Sequence, residues 1–239
     1  MIPKTIHYCW FGGKEKPRSV IKCMATWKKF LPDYEIVEWN EQSFDVNAFP
    51  YTKAAYEHKK YAFVSDFVRL YALKHCGGIY FDTDVEVLKS FDAFLNTPGF
   101  MGYESPNCLG TAVMAAEKDN PLISEFLRYY DTTSFDPNNL VANSNIISNI
   151  IREKGIELNN QFSCCQNNLN LYPLDFFIVK TYYDFKFHLS DNSHSIHHCD
   201  ATWLPWSLRI KWKLLSKSGS KVHQLYFFFH KIKKQLAGR

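Results

Sequence analysis

The chain has no run approaching the 18 or so apolar residues needed to cross a bilayer, no Cys-x-x-Cys, no internal repeat and no low-complexity linker before residue 206. Each absence removes a class of protein. Without an apolar run, a membrane-spanning helix is not expected. The seven cysteines (Cys9, Cys23, Cys76, Cys108, Cys164, Cys165 and Cys199) are odd in number and unpatterned, which argues against a disulfide framework and against a structural zinc site. A reducing, cytoplasmic setting is the expectation. The opening "MIPKTIHYCWFGG" lacks a charged leader followed by an apolar core and a cleavage site, so it reads as the start of the fold itself. Acidic residues are missing beyond Asp200, where nine Lys and Arg residues gather. The net charge of +4 therefore conceals an acidic body with a basic tail.

What is present suits one α/β domain. A chain of 239 residues with 46% hydrophobic and 17% aromatic residues can bury a sizeable core. "KTIHYCWF" reads as a strand, Ser19 to Phe30 as a helix and "YEIVEWN" as a second strand, which is the opening of an α/β sheet. Thr52 to Cys76 reads as one long helix, with Val64, Val68 and Tyr71 on one face and Gly77-Gly78 as its stop. "IYFDTDVEV" follows as a strand, and "PLISEFLRYY" and "NIISNIIREKG" read as helices. The expected division is a catalytic-sized domain over 1–205 and a basic, aromatic tail over 206–239.

The stretch "GGIYFDTDVEVL" carries the chemistry. On a strand, Asp82 and Asp84 share a face with Tyr80 and Glu86. Like charges this close raise one another's pKa unless a positive group sits between them, and a hard divalent cation with oxygen ligands resolves the conflict. Open α/β sheets also place their ligands at the carboxyl ends of strands. An EF-hand loop does not fit, because Val87 stands where that loop needs its glycine. A phosphatase carrying Asp-x-Asp near its start fits less well than a metal site for a nucleotide diphosphate. Asp66 and Arg69 lie three apart on the preceding helix.

"IPKTIHYCWFGG", "YAFVSDFVRLYAL", "GGIYFDTDVEVLKSFD", "LYPLDFF" and "SIHHCDATW" together resemble, in order, the signature blocks of the family 32 glycosyltransferases with a DXD sugar-binding region. That family includes yeast mannosyltransferases and many bacterial capsule and lipopolysaccharide enzymes. The resemblance spans residue 2 to about residue 203. It implies a GT-A fold, a Rossmann-like mixed sheet flanked by helices, and retaining transfer of a sugar from a nucleotide-diphosphate donor to a glycan or lipid-linked acceptor of bacterial surface polysaccharide synthesis.

It also implies residue roles. Trp10 would stack on the donor's base, which favours a UDP-sugar; Asp66 and Arg69 would contact the donor sugar; Asp84 would hold Mn²⁺ or Mg²⁺ directly. Asp82 would serve the metal and the donor's hydroxyls, the two acids forming the catalytic pair, and His198, beside His197, would complete the metal shell. Glu104 and other middle-region acids are expected near the reacting centre with no nucleophile assigned. Cys199 and Asp200 stand where relatives often have aromatic or small residues, and "DPNNLVANSNIISNII" lacks the family's Gly-Pro, so the acceptor is left open. The tail's Trp212, Leu214, Leu215 and Tyr226 to Phe229, among its basic residues, suit peripheral docking on the inner face of an anionic cytoplasmic membrane. No nucleic-acid module is present. Two alternatives stay open: a metal-dependent phosphatase or pyrophosphatase, and a non-catalytic glycan-binding protein.

Overall fold

The structure is a computed structural model describing residues 1–180 and 187–199. The expectations for Asp200, Trp203 and the tail lie outside the described residues. Strand β1 (Thr5–Cys9), helix α1 (Arg18–Phe30) and strand β2 (Glu35–Trp39) form the expected opening unit. The two strands pair in parallel, from Thr5 opposite Glu35 to Cys9 opposite Trp39.

The helix expected from Thr52 to Cys76 is two helices, α2 (Pro50–Glu57) and α3 (Tyr61–Cys76). Lys59 between them adopts φ 57°, the left-handed conformation that glycine usually supplies. The Lys59 N–H bonds to the Tyr56 carbonyl and the Lys60 N–H to the Ala55 carbonyl, a Schellman ending. A lysine in the glycine position hides this stop from a reading of the sequence. The apolar residues of α3 pack nearly all round: Phe63, Val64, Phe67, Val68, Leu70, Ala72 and Leu73 are buried.

Gly77 and Gly78 end α3 as expected, and both have positive φ. Gly78 also admits the neighbouring strand: a Cβ there would stand 2.6 Å from the Thr5 carbonyl oxygen. Strand β3 (Gly78–Phe81) then runs parallel to β1, with Ile6 opposite Ile79 and His7 opposite Tyr80. The strand expected to continue through Val87 stops at Phe81. The Val85 N–H bonds back to the Asp82 carbonyl at 3.0 Å, closing a tight turn over Asp82, Thr83 and Asp84, after which β4 (Val85–Val87) enters a separate sheet. Asp82 and Asp84 therefore meet across a turn and do not share a strand face.

A 3₁₀ turn (Asp92–Phe94) leads to β5 (Gly99–Ser105) and β6 (Cys108–Ala116), which pair antiparallel, with β6 also antiparallel to β3. Helices α4 (Pro121–Thr132) and α5 (Asn143–Glu153) match the expected positions. Strands β7 (Ser163–Cys165) and β8 (Leu169–Tyr172) complete a seven-stranded mixed sheet in the order β2-β1-β3-β6-β5-β8-β7. Apolar clusters cover both faces, one built on α2, α3, α4 and α5, the other on α1, Phe91 and Phe177.

The return segment positions the site. Helix α6 (Leu174–Phe177) precedes β9 (Ser195–His197), which pairs antiparallel with β4 and sets His197 opposite Val85. The buried Trp27 of α1 anchors this small sheet through its Nε1–H, which donates to the Val85 carbonyl at 2.7 Å. The Thr26 hydroxyl oxygen accepts from the Val87 N–H at 2.9 Å. A cluster of Phe91, Phe94, Phe177 and His194 rings packs behind it.

Candidate active site

The carboxyl ends of β1 and β3 lie side by side, so Trp10 and the Asp82–Asp84 turn leave the sheet at one edge. Carboxylate oxygens of Asp82 and Asp84 and a ring nitrogen of His197 lie within 4.8 Å of one another. The Asp84 carboxylate is 3.3 Å from His197 Nε2. Two carboxylates and an imidazole are a donor set that suits a divalent cation of the Mg²⁺ or Mn²⁺ type, with positions left for phosphate oxygens. The residues present fit such an ion.

The histidine in this cluster is His197, not His198 as expected from the sequence. The His198 imidazole pairs with the Glu86 carboxylate at 2.8 Å, while its backbone N–H donates to the Asp84 carbonyl. Adjacent strand residues face opposite ways, and the pairing of Val85 with His197 selects which imidazole meets Asp84. Burial works against a charged His197, but Cys199 and Asp84 outweigh it and hold the imidazole well above its usual range.

Asp66 and Asp82, both part-buried, share the buried guanidinium of Arg69. Arg69 is 4% exposed, and its five N–H groups meet five protein acceptors. Nε donates to the Ser65 carbonyl, and Nη1 to the Thr111 carbonyl and hydroxyl. Nη2 lies 2.9 Å from Asp66 and 3.3 Å from Asp82. The guanidinium also lies over the Tyr80 ring, whose hydroxyl donates to Asp82 at 2.9 Å. Arg69 thus fixes the first acid of the turn from behind.

Two acids share one guanidinium, and the effect shows at Asp66. Burial pushes its carboxyl up to about 6, Arg69 opposes this, and Asp82 adds to it. The sign for stability follows. The folded protein holds this proton more tightly than the unfolded chain, so Asp66 costs stability as the pH rises from the unfolded carboxylate range through about 6. Asp66→Asn is therefore expected to melt at least as high as the parent at pH 8, with any advantage shrinking toward pH 5; melting curves across that range check it. A lower melting temperature at pH 8 would show that the Asp66–Arg69 attraction outweighs the burial cost.

Trp10 is half-buried, its indole N–H donates to the Lys14 carbonyl, and Lys16 lies over its ring. Glu104 stands at the end of β5. Burial raises its carboxyl pKa against hydrogen bonds from Ser144 and Cys108 and the charge of His197. Helix α5 supplies Asn143 to Asp66 and Ser148 to the Leu109 N–H. Asn143, Ser144 and Thr111 are site neighbours that the sequence reading did not single out. Nothing in their local pattern distinguishes them from polar residues at an ordinary helix start or strand.

A mixed sheet with an acidic turn at the carboxyl end of a central parallel strand is the GT-A arrangement of nucleotide-sugar glycosyltransferases. The solved structure described as PaToxG Glycosyltransferase shares this fold, with a TM-score of 0.52 at 22% identity over 64% of this chain and 68% of that one. Residues 17–101 match the family model described as "Glycosyltransferase sugar-binding region containing DXD motif".

Inositol phosphoceramide mannosyltransferase 3 of Schizosaccharomyces pombe is 30% identical over 139 residues, 56% of this chain and 39% of that protein. Toxin Afp18 of Yersinia ruckeri is 36% identical over 107 residues, 42% of this chain and 5% of that protein. The chain spans 37–39% of the length of the fungal mannosyl relatives it matches.

Proposed function

We propose that the protein is a retaining, metal-dependent glycosyltransferase that moves a sugar from a nucleotide-diphosphate donor to a glycan or lipid-linked acceptor. The observation that carries this reading is the Asp82–Asp84–His197 cluster, whose two acids lie within the residues that match the DXD model. An α-linked donor would give an α-linked product. A surface-polysaccharide acceptor rests on the block resemblance alone, and the names of the fungal relatives add mannosyl donors and inositol phosphoceramide acceptors to those worth testing.

Asp84, Asp82 and His197 would hold the cation, which when bound would offset the negative charge developing on the departing nucleotide diphosphate. Trp10 presents an aromatic face for the base, a contact that consumes no hydrogen-bonding group. The family resemblance at Trp10 favours UDP as the nucleotide. Arg69 acts through Asp66 and Asp82, holding both carboxylates in place while its own donors are spent. Lys180, whose ammonium donates to the His198 carbonyl at 2.9 Å, sets a positive charge against the segment that carries His197. The basic tail would dock the protein on an anionic membrane surface.

Donor hydrolysis tests the reading. Purified protein is incubated with UDP- and GDP-sugars, with Mn²⁺, Mg²⁺ or EDTA, and free nucleotide and sugar are followed. Cleavage of a donor in Mn²⁺ or Mg²⁺ but not in EDTA is expected. Phosphate release from simple esters without sugar transfer would instead make the protein a phosphatase. Sugar binding indifferent to nucleotide and metal would make it a glycan-binding protein.

A further inference from the structure

We propose that Cys199 is a positioning residue of the cation site: its sulfur accepts the Nδ1–H of His197 and so presents the other ring nitrogen to the acidic pair. This rests on the metal reading of the Asp82–Asp84–His197 cluster and adds a residue from outside that cluster.

The two nitrogens of His197 meet different partners. Nε2 lies 3.3 Å from an Asp84 carboxylate oxygen, and Nδ1 lies 3.5 Å from Cys199 Sγ. An imidazole binds a cation through a nitrogen that carries no proton, so its remaining N–H sits on the other nitrogen. Histidine ligands of metals almost always give that N–H to an acceptor, which fixes the tautomer and the ring orientation. In this chain the atom in that place is a thiol sulfur, an acceptor of the weak kind. His197 is only 8% exposed, so bulk water is a poor substitute for a protein group there.

The backbone bends to bring the sulfur back to the ring. Strand β9 ends at His197, and the chain around that end is tied down. The His197 N–H donates to the Ile178 carbonyl, the His198 N–H to the Asp84 carbonyl, and the Lys180 ammonium to the His198 carbonyl. Cys199 then adopts φ 59°, a left-handed conformation uncommon for a residue that carries a Cβ. The bend leaves Sγ 3.4 Å from the His197 carbonyl oxygen and 3.7 Å from the Lys180 carbonyl oxygen. The S–H can donate to one of these carbonyls while a sulfur lone pair faces Nδ1. Glycine would take this backbone angle without strain, but it would bring no acceptor to the ring. An unfavourable angle that returns a side chain to a candidate metal ligand is an outlier with a use.

Metal affinity tests this role apart from turnover. Wild type, Cys199→Ala and Cys199→Ser are compared for Mn²⁺ binding, read from the electron paramagnetic resonance of unbound Mn²⁺, alone and with UDP or GDP. Both substitutions keep the Cβ, so the metal-free melting temperature is expected to stay within about 2 °C of wild type. Mn²⁺ affinity is expected to fall about tenfold or more in Cys199→Ala, the scale for losing the outer partner of a metal-bound histidine. It is expected to recover in part in Cys199→Ser, whose hydroxyl can accept the same N–H. An affinity in Cys199→Ala within about twofold of wild type would overturn the inference. So would a Cys199→Ser no better than Cys199→Ala, which would make the thiol a packing group only.

A second readout needs no variant. Nitrogen NMR of isotope-labelled wild type with Mg²⁺ is expected to find the His197 ring proton on Nδ1; a proton on Nε2 instead would overturn the inference. A wild type that binds no Mn²⁺ in any of these conditions would remove the metal reading and this inference together. Mn²⁺ binding that depends on Cys199, in a protein that cleaves no sugar nucleotide, would remove the transferase reading and leave this inference standing.

Discussion

Asp84→Ala is expected to lose metal-dependent donor cleavage by a factor of about 10³ or more, the scale of several kcal/mol of leaving-group stabilisation. Asp84 joins the candidate ligand cluster, and its side chain meets His197 at 3.3 Å. Alanine leaves one carboxylate and one imidazole, too few charged ligands to hold a hard cation well. The fold should survive, because the backbone at this position is held independently: the His198 N–H donates to the Asp84 carbonyl, and the Asp82–Val85 turn bond joins backbone atoms. The measurement is donor cleavage across a Mn²⁺ titration, with circular dichroism as the control for folding. Full activity at saturating Mn²⁺ would show that Asp84 contributes affinity only, and full activity in EDTA would remove the metal from the mechanism.

Arg69→Met is expected to be the more damaging change to stability. It removes the cation shared by Asp66 and Asp82 and leaves two part-buried acids without it. Removing one partner of a buried ion pair costs about 3–5 kcal/mol, which for a chain of this size is on the order of 10 °C in melting temperature. The loss should shrink as the pH falls toward 5, where Asp66, with its carboxyl at about 6, takes up a proton. Arg69→Lys should recover little, since an ammonium has three donors and the site presents five acceptors. A melting temperature for Arg69→Met within about 2 °C of the parent at pH 8 would contradict a buried, shared guanidinium.

Much of the architecture was legible from the sequence because it rests on strong local signals. The first strand, helix and strand follow from hydrophobic pattern, and the double glycine marks the end of α3 because only glycine tolerates the positive φ and the Thr5 carbonyl so near. The misses share another physical cause. The stop at Lys59 is made by backbone hydrogen bonds around a residue that does not advertise a turn. The break after Phe81 follows from tertiary anchoring, since Trp27 and Thr26 of α1 pull Val85 and Val87 into a second sheet. His197 and His198 cannot be told apart until the register with Val85 is known. Asn143 and Ser144 look like the start of any surface helix until α5 is packed beside α3 and β6. Pattern thus located the acidic pair, while long-range contacts determined what surrounds it.

The pairing of β4 with β9 also sets a timetable for the chain. Glu86 and His198 are 112 residues apart in sequence, and closing so long a loop carries an entropic cost that local helices and hairpins do not. The strand that ends in the acidic turn is therefore made well before the histidine that faces it. A chain truncated before Ser195 would carry all seven strands of the main sheet but lack the histidine of the acidic cluster, so the cluster would be completed only after the sheet.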